Sequence, residues 1–289
     1  LTSTVLAFAA ASALGWSLCD LSRRFLAARM TAWALVFWVT VGALPLLALW
    51  ALVRGEGGFE PAGYLLPGLA SLALNVAANV AFFRALQLSP LSVTLPVLSL
   101  TPVFSALLGS LFLDEQLPAR ALAGVAMVVV GAFLLAARLP HRPSGGRRMH
   151  IESGSLVMAG VALGWSATML LDKLALEHIG AIPHALVLHT GVATVAALVL
   201  GRSGLRATLP QLRRNAPALA ATIVFGAVAL GSQLLAIREL PIGFVETLKR
   251  GVGGALAVVW GRAFFDEPVT ATKLVAIGLL GGGVALLTL

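Results

Sequence analysis

"ALGWS" at residues 13–17 returns unchanged at residues 162–166, and that return decides how the rest of the chain is read. Each copy sits in the first long apolar run of its part of the chain. A second pair of matches follows at nearly the same offset. "LFLDEQLPARALAG" at 111–124 aligns with "AFFDEPVTATKLVA" at 263–276, so Asp114-Glu115 and Asp266-Glu267 mark equivalent turns before a last apolar run. One five-residue repeat carries little, whereas two co-linear matches carry a duplication. The halves are 1–138 and 152–289, separated by a basic linker, 139–151, inside the polar stretch "RLPHRPSGGRRMHIE" at 138–152.

The material between these landmarks is written for a bilayer. The chain is 59% hydrophobic and 11% charged, against about 25% charged in ordinary soluble domains. A span needs roughly 20 mostly apolar residues. Cutting at charged and Pro/Gly clusters gives ten spans, at about 3–22, 31–53, 63–88, 90–113, 118–138, 152–172, 183–201, 216–237, 242–263 and 270–288. Five spans per half is an odd number, so the second half enters the membrane from the opposite side. The expected fold is an all-α polytopic membrane protein, ten transmembrane helices arranged as two inverted five-helix repeats. Such duplications are characteristic of secondary transporters, with the site near mid-bilayer between the repeats.

The single cysteine, Cys19, excludes a disulfide within the chain and a Cys-rich metal site. The net charge of +8 is almost all arginine. On so apolar a chain it points to membrane orientation and anionic membrane lipid rather than nucleic acid. The histidines show no metal-ligand spacing, and no cofactor or metal is expected.

One span breaks the apolar rule. "FVETLKRGVGGALAVVWG" at 244–261 contains Glu246, Lys249 and Arg250. A base near the bilayer centre costs about 2.5–3.5 kcal/mol on insertion scales. From mid-span neither base reaches the interface easily. The i, i+3 and i, i+4 spacing puts all three on one side of a helix. One reading makes the group an internal glue in which Glu246 neutralises a base. The other gives the surplus cation an anionic substrate group, with Arg250 able to clamp it bidentately and Lys249 supplying a point charge. Glu246 is then also a candidate for proton coupling.

The chain resembles the drug/metabolite transporter superfamily, specifically the ten-helix EamA-type permeases, over essentially all 289 residues. The resemblance is carried by the two five-span halves, by Gly15-Trp16-Ser17 and Gly164-Trp165-Ser166, and by "ALQLSPLSVTLPVLSLTPVFSALLGSLFLDEQL" with its Pro102 and acidic turn. The second half departs from it: Gly253-Gly254 stands where Pro102 would recur. The Lys-Arg pair in the ninth span is similar to that of the sugar-phosphate/phosphate translocator branch. The resemblance implies a multi-pass permease of the cell inner (plasma) membrane, moving a small molecule by alternating access through a central cavity, with protons a candidate coupling ion. The anionic reading makes the cargo an amino acid, organic acid or phosphorylated metabolite. The alternative is an exporter of hydrophobic or cationic drugs with Glu246 as coupling acid. A polytopic enzyme or sensor is the reading outside transport; HExxH, GxGD and phosphate-loop signatures are all missing, so no catalytic residue is named.

Further candidates for substrate contact follow from polarity inside spans. Asn75 and Asn79 share a face of span three, where interhelical hydrogen bonding is the competing role. Ser99, Thr101 and Ser105 flank Pro102, where hydroxyls can re-satisfy freed carbonyls. Trp16 and Trp165 hold equivalent places in the two halves and suit aromatic cavity walls or ordinary packing. Asp20 before Arg23 reads as an interfacial ion pair, and Asp172-Lys173 occupies the corresponding end of span six. Basic residues concentrate in the odd-numbered loops, among them Arg23, Arg202, Arg213 and Arg214, which places both termini outside the cell; the family norm is termini inside. Direction of transport and oligomeric state stay open.

Overall fold

In lipid every backbone polar group must be satisfied within the chain, so apolar spans of this kind become helices even where glycine disfavours them. The structure, a computed structural model, describes residues 3–27, 29–88, 95–136, 153–266 and 268–288. The linker 139–151 and the start of the fourth span lie outside the described residues. The described residues form ten α-helices: α1 Ser3–Ala27, α2 Ala32–Arg54, α3 Pro61–Leu88, α4 Thr101–Phe112, α5 Ala119–Ala136, α6 Ser153–Ala175, α7 Ala181–Arg214, α8 Ala216–Ile237, α9 Ile242–Phe265 and α10 Ala271–Thr288. A 3₁₀ turn, Leu95–Leu100, leads into α4. No β-strand occurs among the described residues, only an antiparallel bridge between Phe59 and Ile179. This is an all-α polytopic membrane protein.

Six of the helices are long and apolar enough to cross a membrane by length and composition. The 24-residue α9 is not among them, because Glu246, Lys249, Arg250 and Arg262 all fall within it. Shorter apolar stretches, Val97–Phe112, Ala119–Leu134 and Ala271–Leu287, supply the fourth, fifth and tenth.

Two boundaries differ from the sequence reading. The fourth span is split, a 3₁₀ turn passing into α4 with Pro102 in its first turn, since proline lacks the N–H that would bond back to Leu98. The seventh continues past residue 201 to Arg214, bent at Gly201 with φ 62° and ψ 177°. Only glycine adopts that conformation without strain. Beyond the bend, Thr208 is buried and its hydroxyl accepts a bond from the Trp38 indole at 2.9 Å. Leu212 packs on the cluster of Leu26, Met30, Ala34, Val39 and Leu219, while Arg202, Arg206, Arg213 and Arg214 stay exposed.

Contacts divide the chain into two compact units, Leu1–Val76 with Thr168–Leu240, and Ala77–Ala167 with Pro241–Leu289. Each draws on both sequence halves. In the first, α2 lies against α7, its counterpart by the repeat, and α8 packs on α1, α2 and α7. In the second, α4 packs on α9 and α5 on α10, again counterpart on counterpart, with α9 also touching α5 and α10. Small residues permit these approaches. A Cβ on Gly15 would meet Ala229 at 3.0 Å, and one on Gly283 would meet the Gly124 carbonyl at 2.7 Å. Without a hydrophobic force between helices in lipid, such close backbone packing is the main source of association.

The repeated acidic turns are alike in backbone. Asp114 and Asp266 are the positive-φ non-glycine residues described, at 52° and 51°. Aspartate is among the few residues that visit this left-handed region readily. Glu115 next to it caps the start of α9, its Oε2 accepting the Ile242 N–H at 2.9 Å. In the first unit Glu56 does the same for α7 through the Ile182 N–H at 2.9 Å.

Candidate functional site

The helical spacing of Glu246, Lys249 and Arg250 is realised as a compact ion cluster in the second unit. Glu246 is buried, with its side chain 2% exposed. Lys249 Nζ lies 2.5 Å from its Oε2, and Arg250 Nε lies 2.9 Å from its Oε1. Lys249 and Arg250 are 17% and 27% exposed. One carboxylate therefore faces two cations, one on each oxygen, and the group carries a surplus positive charge. Removing either kind of partner from such a buried pairing strands a charge.

A fourth member comes from α4. Thr101 Oγ1 lies 2.6 Å from Glu246 Oε1 and 2.9 Å from the Leu98 carbonyl, and accepts from Arg250 Nε at 3.0 Å. Its single proton serves one acceptor at a time. The Leu98 carbonyl is the group that Pro102 leaves without a helical donor, so the break in the fourth span and the charged cluster are joined through one hydroxyl. Ser166 of the repeated Gly-Trp-Ser signature extends the connection, its hydroxyl within reach of the Thr101 carbonyl at 3.1 Å and of Ala162 O at 2.9 Å.

Arg250 uses only Nε in these bonds. Among the described residues its two terminal nitrogens make no hydrogen bond. A guanidinium oriented by its inner nitrogen keeps an outer fork for a carboxylate or phosphate. On α9, Gly253 follows Lys249 by one turn, and a Cβ added there would meet open space.

The other sequence candidates are placed differently. Ser99 is buried in the 3₁₀ turn. The Trp165 ring lies 5.4 Å from that of Phe82, packed on the cluster of Ala85, Leu98, Met158, Val161 and Ala162. Trp16 belongs to the first unit, where its indole donates to Gln233 Oε1 at 2.9 Å and the Arg23 guanidinium sits 5.5 Å from its ring centroid. Asn75 and Asn79 are both half-buried on α3, and the division between units falls between them. Two recesses, one of about 360 Å³ beside Phe59 and Pro183 and one of about 450 Å³ beside Arg29 and Arg214, are not lined by Glu246, Lys249 or Arg250.

Asp20 pairs with Arg23 at 3.5 Å on the surface, as its spacing suggests. The corresponding end of α6 does not repeat this. Asp172 is 3% exposed and bonds Ser71 and His184, while Lys173 donates to the Leu240 carbonyl at 2.9 Å. His184, at the very start of the seventh span, is fully buried. The signal available beforehand was only that an acid and a histidine lay within a turn or so of two apolar runs. No group of metal-ligating side chains is present among the described residues.

The fold and its apolar helices define a multi-pass membrane protein. Residues 3–137 match the EamA-like transporter family, so the first half of the chain is similar to an EamA-like transporter domain. A solved structure described only as "Crystal structure of protein" superposes with a TM-score of 0.79, covering 100% of this chain and 99% of that one at 19% identity, which establishes likeness of fold. No curated protein matches the sequence.

Proposed function

We propose that this protein is a secondary transporter that moves a small metabolite bearing an anionic group, by alternating access, across the cell inner membrane. The observation that carries the reading is the outer guanidinium fork of Arg250. Its inner nitrogen is held by Glu246 and Thr101, and its terminal nitrogens make no bond to described residues. Desolvated mid-span charge is costly, and a substrate carboxylate or phosphate would offset the surplus cation in a way that Glu246 alone does not. The class of cargo is then an amino acid, organic acid or phosphorylated metabolite. Lys249 adds a point charge beside the fork.

The rival reading, in which a cationic or hydrophobic drug is exported with Glu246 as coupling acid, fits less well. Glu246 is bridged by two bases and a hydroxyl, and a cationic cargo would meet a net positive cluster. Purified protein screened by thermal shift separates them. Anionic metabolites should raise the melting temperature with concentration, by mass action, and lipophilic cations should not. Stabilisation by cations alone overturns the anionic reading.

A further inference from the structure

The first unit contains a second buried polar group, remote in sequence from the charged helix. Tyr64 in the first turn of α3, Ser71 one to two turns further on, Asp172 near the end of α6 and His184 in the first turn of α7 meet in one chain of bonds. The Tyr64 hydroxyl lies 3.0 Å from His184 Nδ1, and His184 Nε2 lies 3.1 Å from Asp172 Oδ1. The Ser71 hydroxyl donates to the same carboxylate oxygen. Tyr64, Ser71, Asp172 and His184 are each almost wholly buried.

We propose that Asp172 and His184 hold one exchangeable proton between them, with Tyr64 as its relay, and that this proton is the coupling ion of transport. The proton site stands on its own geometry, and the coupling rests on the transport reading above. With a neutral imidazole, Nε2–H donates to Asp172, the Tyr64 hydroxyl donates to Nδ1, and the group carries a full negative charge. Among the described residues no arginine or lysine bonds Asp172. An unmatched charge at that burial is expensive. One added proton on Nδ1 makes an imidazolium–carboxylate pair of zero net charge. Tyr64 then becomes the acceptor of that N–H, and its own hydroxyl proton turns away from the ring. Proton uptake thus reverses one hydrogen bond, and the tyrosine passes a proton by accepting one on its oxygen as it gives one to Nδ1.

The neighbouring charged groups are committed elsewhere. Lys173 donates to the Leu240 carbonyl, His178 pairs with Glu60 at 2.8 Å, Glu56 is shared between Arg54 and the Ile182 N–H, and His189 Nδ1 faces the Ala185 carbonyl. Glu177 is exposed. Access is short. The Phe59 ring stands edge-on to Tyr64 at 5.4 Å, and Phe59 also lines the recess of about 360 Å³ together with Glu56, Ile179 and Pro183, the residue before His184. Glu246 is unsuited to this role, since a carboxylate between two cations has no comparable need of a proton.

Histidine-labelled full-length protein in lipid nanodiscs would be titrated by NMR, with the His184 resonance assigned by its loss in His184→Gln. That resonance should follow the uptake of a single proton. Asp172→Asn should move the midpoint at least one unit to lower pH, a tenfold loss of proton affinity, because the imidazolium loses its counter-charge. Ser71→Ala should move it upward, since the carboxylate loses a donor and the charged pair gains in relative stability. Ser71→Ala keeps the test decisive if Asp172→Asn fails to fold. A His184 signal that does not titrate, or that ignores both substitutions, overturns the proton site. In liposomes loaded with a radiolabelled amino acid, dicarboxylate or sugar phosphate, an imposed pH gradient should drive net flux, and His184→Gln should abolish the gradient's effect. Undiminished stimulation in that variant overturns the coupling. If none of the three probes is carried, the anionic cargo reading fails while the NMR titration still decides the proton site.

Discussion

Arg250 and Thr101 meet through a 3.0 Å hydrogen bond across 149 residues of sequence, Nε donating to Oγ1. The bond ties the charged face of α9 to the hydroxyl beside the proline break at the start of α4. It holds the guanidinium by its inner nitrogen, and the proposed anion would meet the outer fork.

Substitution at Arg250 therefore separates charge from shape. Arg250→Gln should abolish binding of the transported anion. Arg250→Lys should weaken it roughly 10- to 100-fold, as expected where one strong charge-assisted hydrogen bond is lost while the charge survives. Thermal-shift titration or radioligand binding reads both, and unaltered affinity in a folded Arg250→Gln protein would end the anionic reading.

Glu246 is expected to matter most for stability. Glu246→Gln leaves Lys249 and Arg250 close together with no acid, and should cost about 3–5 kcal/mol. A second substitution, Lys249→Gln, should recover part of that loss, since it removes the repulsion. Melting in detergent measures both, and additive losses would show that the three residues are not energetically joined.

The glycines of the second unit divide by their surroundings. Gly283→Ala places a Cβ 2.7 Å from the Gly124 carbonyl and 3.1 Å from the Val128 nitrogen, so α5 and α10 must separate, at a cost of about 1–3 kcal/mol. Gly253→Ala meets nothing within 4 Å and should be neutral or stabilising by up to about 1 kcal/mol. Gly253→Leu should preserve folding while reducing ligand binding, because it fills the space one turn after Lys249. Binding equal to the parent's would place the ligand elsewhere.

The acidic turns make a backbone prediction. Asp266→Gly should leave stability unchanged within about 0.5 kcal/mol, because its 4.0 Å contact with Arg262 is exposed and such pairs contribute little. Asp266→Val should cost about 1–2 kcal/mol, the expense of a left-handed conformation for a residue with a crowded Cβ. Equal melting temperatures for the two variants would show that the turn relaxes.

Much of this was legible in the chain itself. Ten helices, the doubled acidic turn and the clustering of Glu246, Lys249 and Arg250 all follow from local rules. Span length is set by bilayer thickness, a left-handed turn selects its residue by sterics, and i, i+3 and i, i+4 neighbours share a face whatever the helix packs against. What the chain did not disclose was which face of one helix meets which face of another. In a soluble protein an apolar stripe would set each helix's rotation. Here lipid is as apolar as the protein interior, the helices are apolar nearly all round, and their rotation is settled only by small-residue fit and interhelical hydrogen bonds. Thr101 could be read as a hydroxyl beside a proline, but its bond to Arg250 depends on how α4 and α9 turn toward each other. Asp172 and His184 looked like the facing ends of two successive spans. Only the packing of α3, α6 and α7 brought them together with Tyr64 and Ser71 in a buried chain.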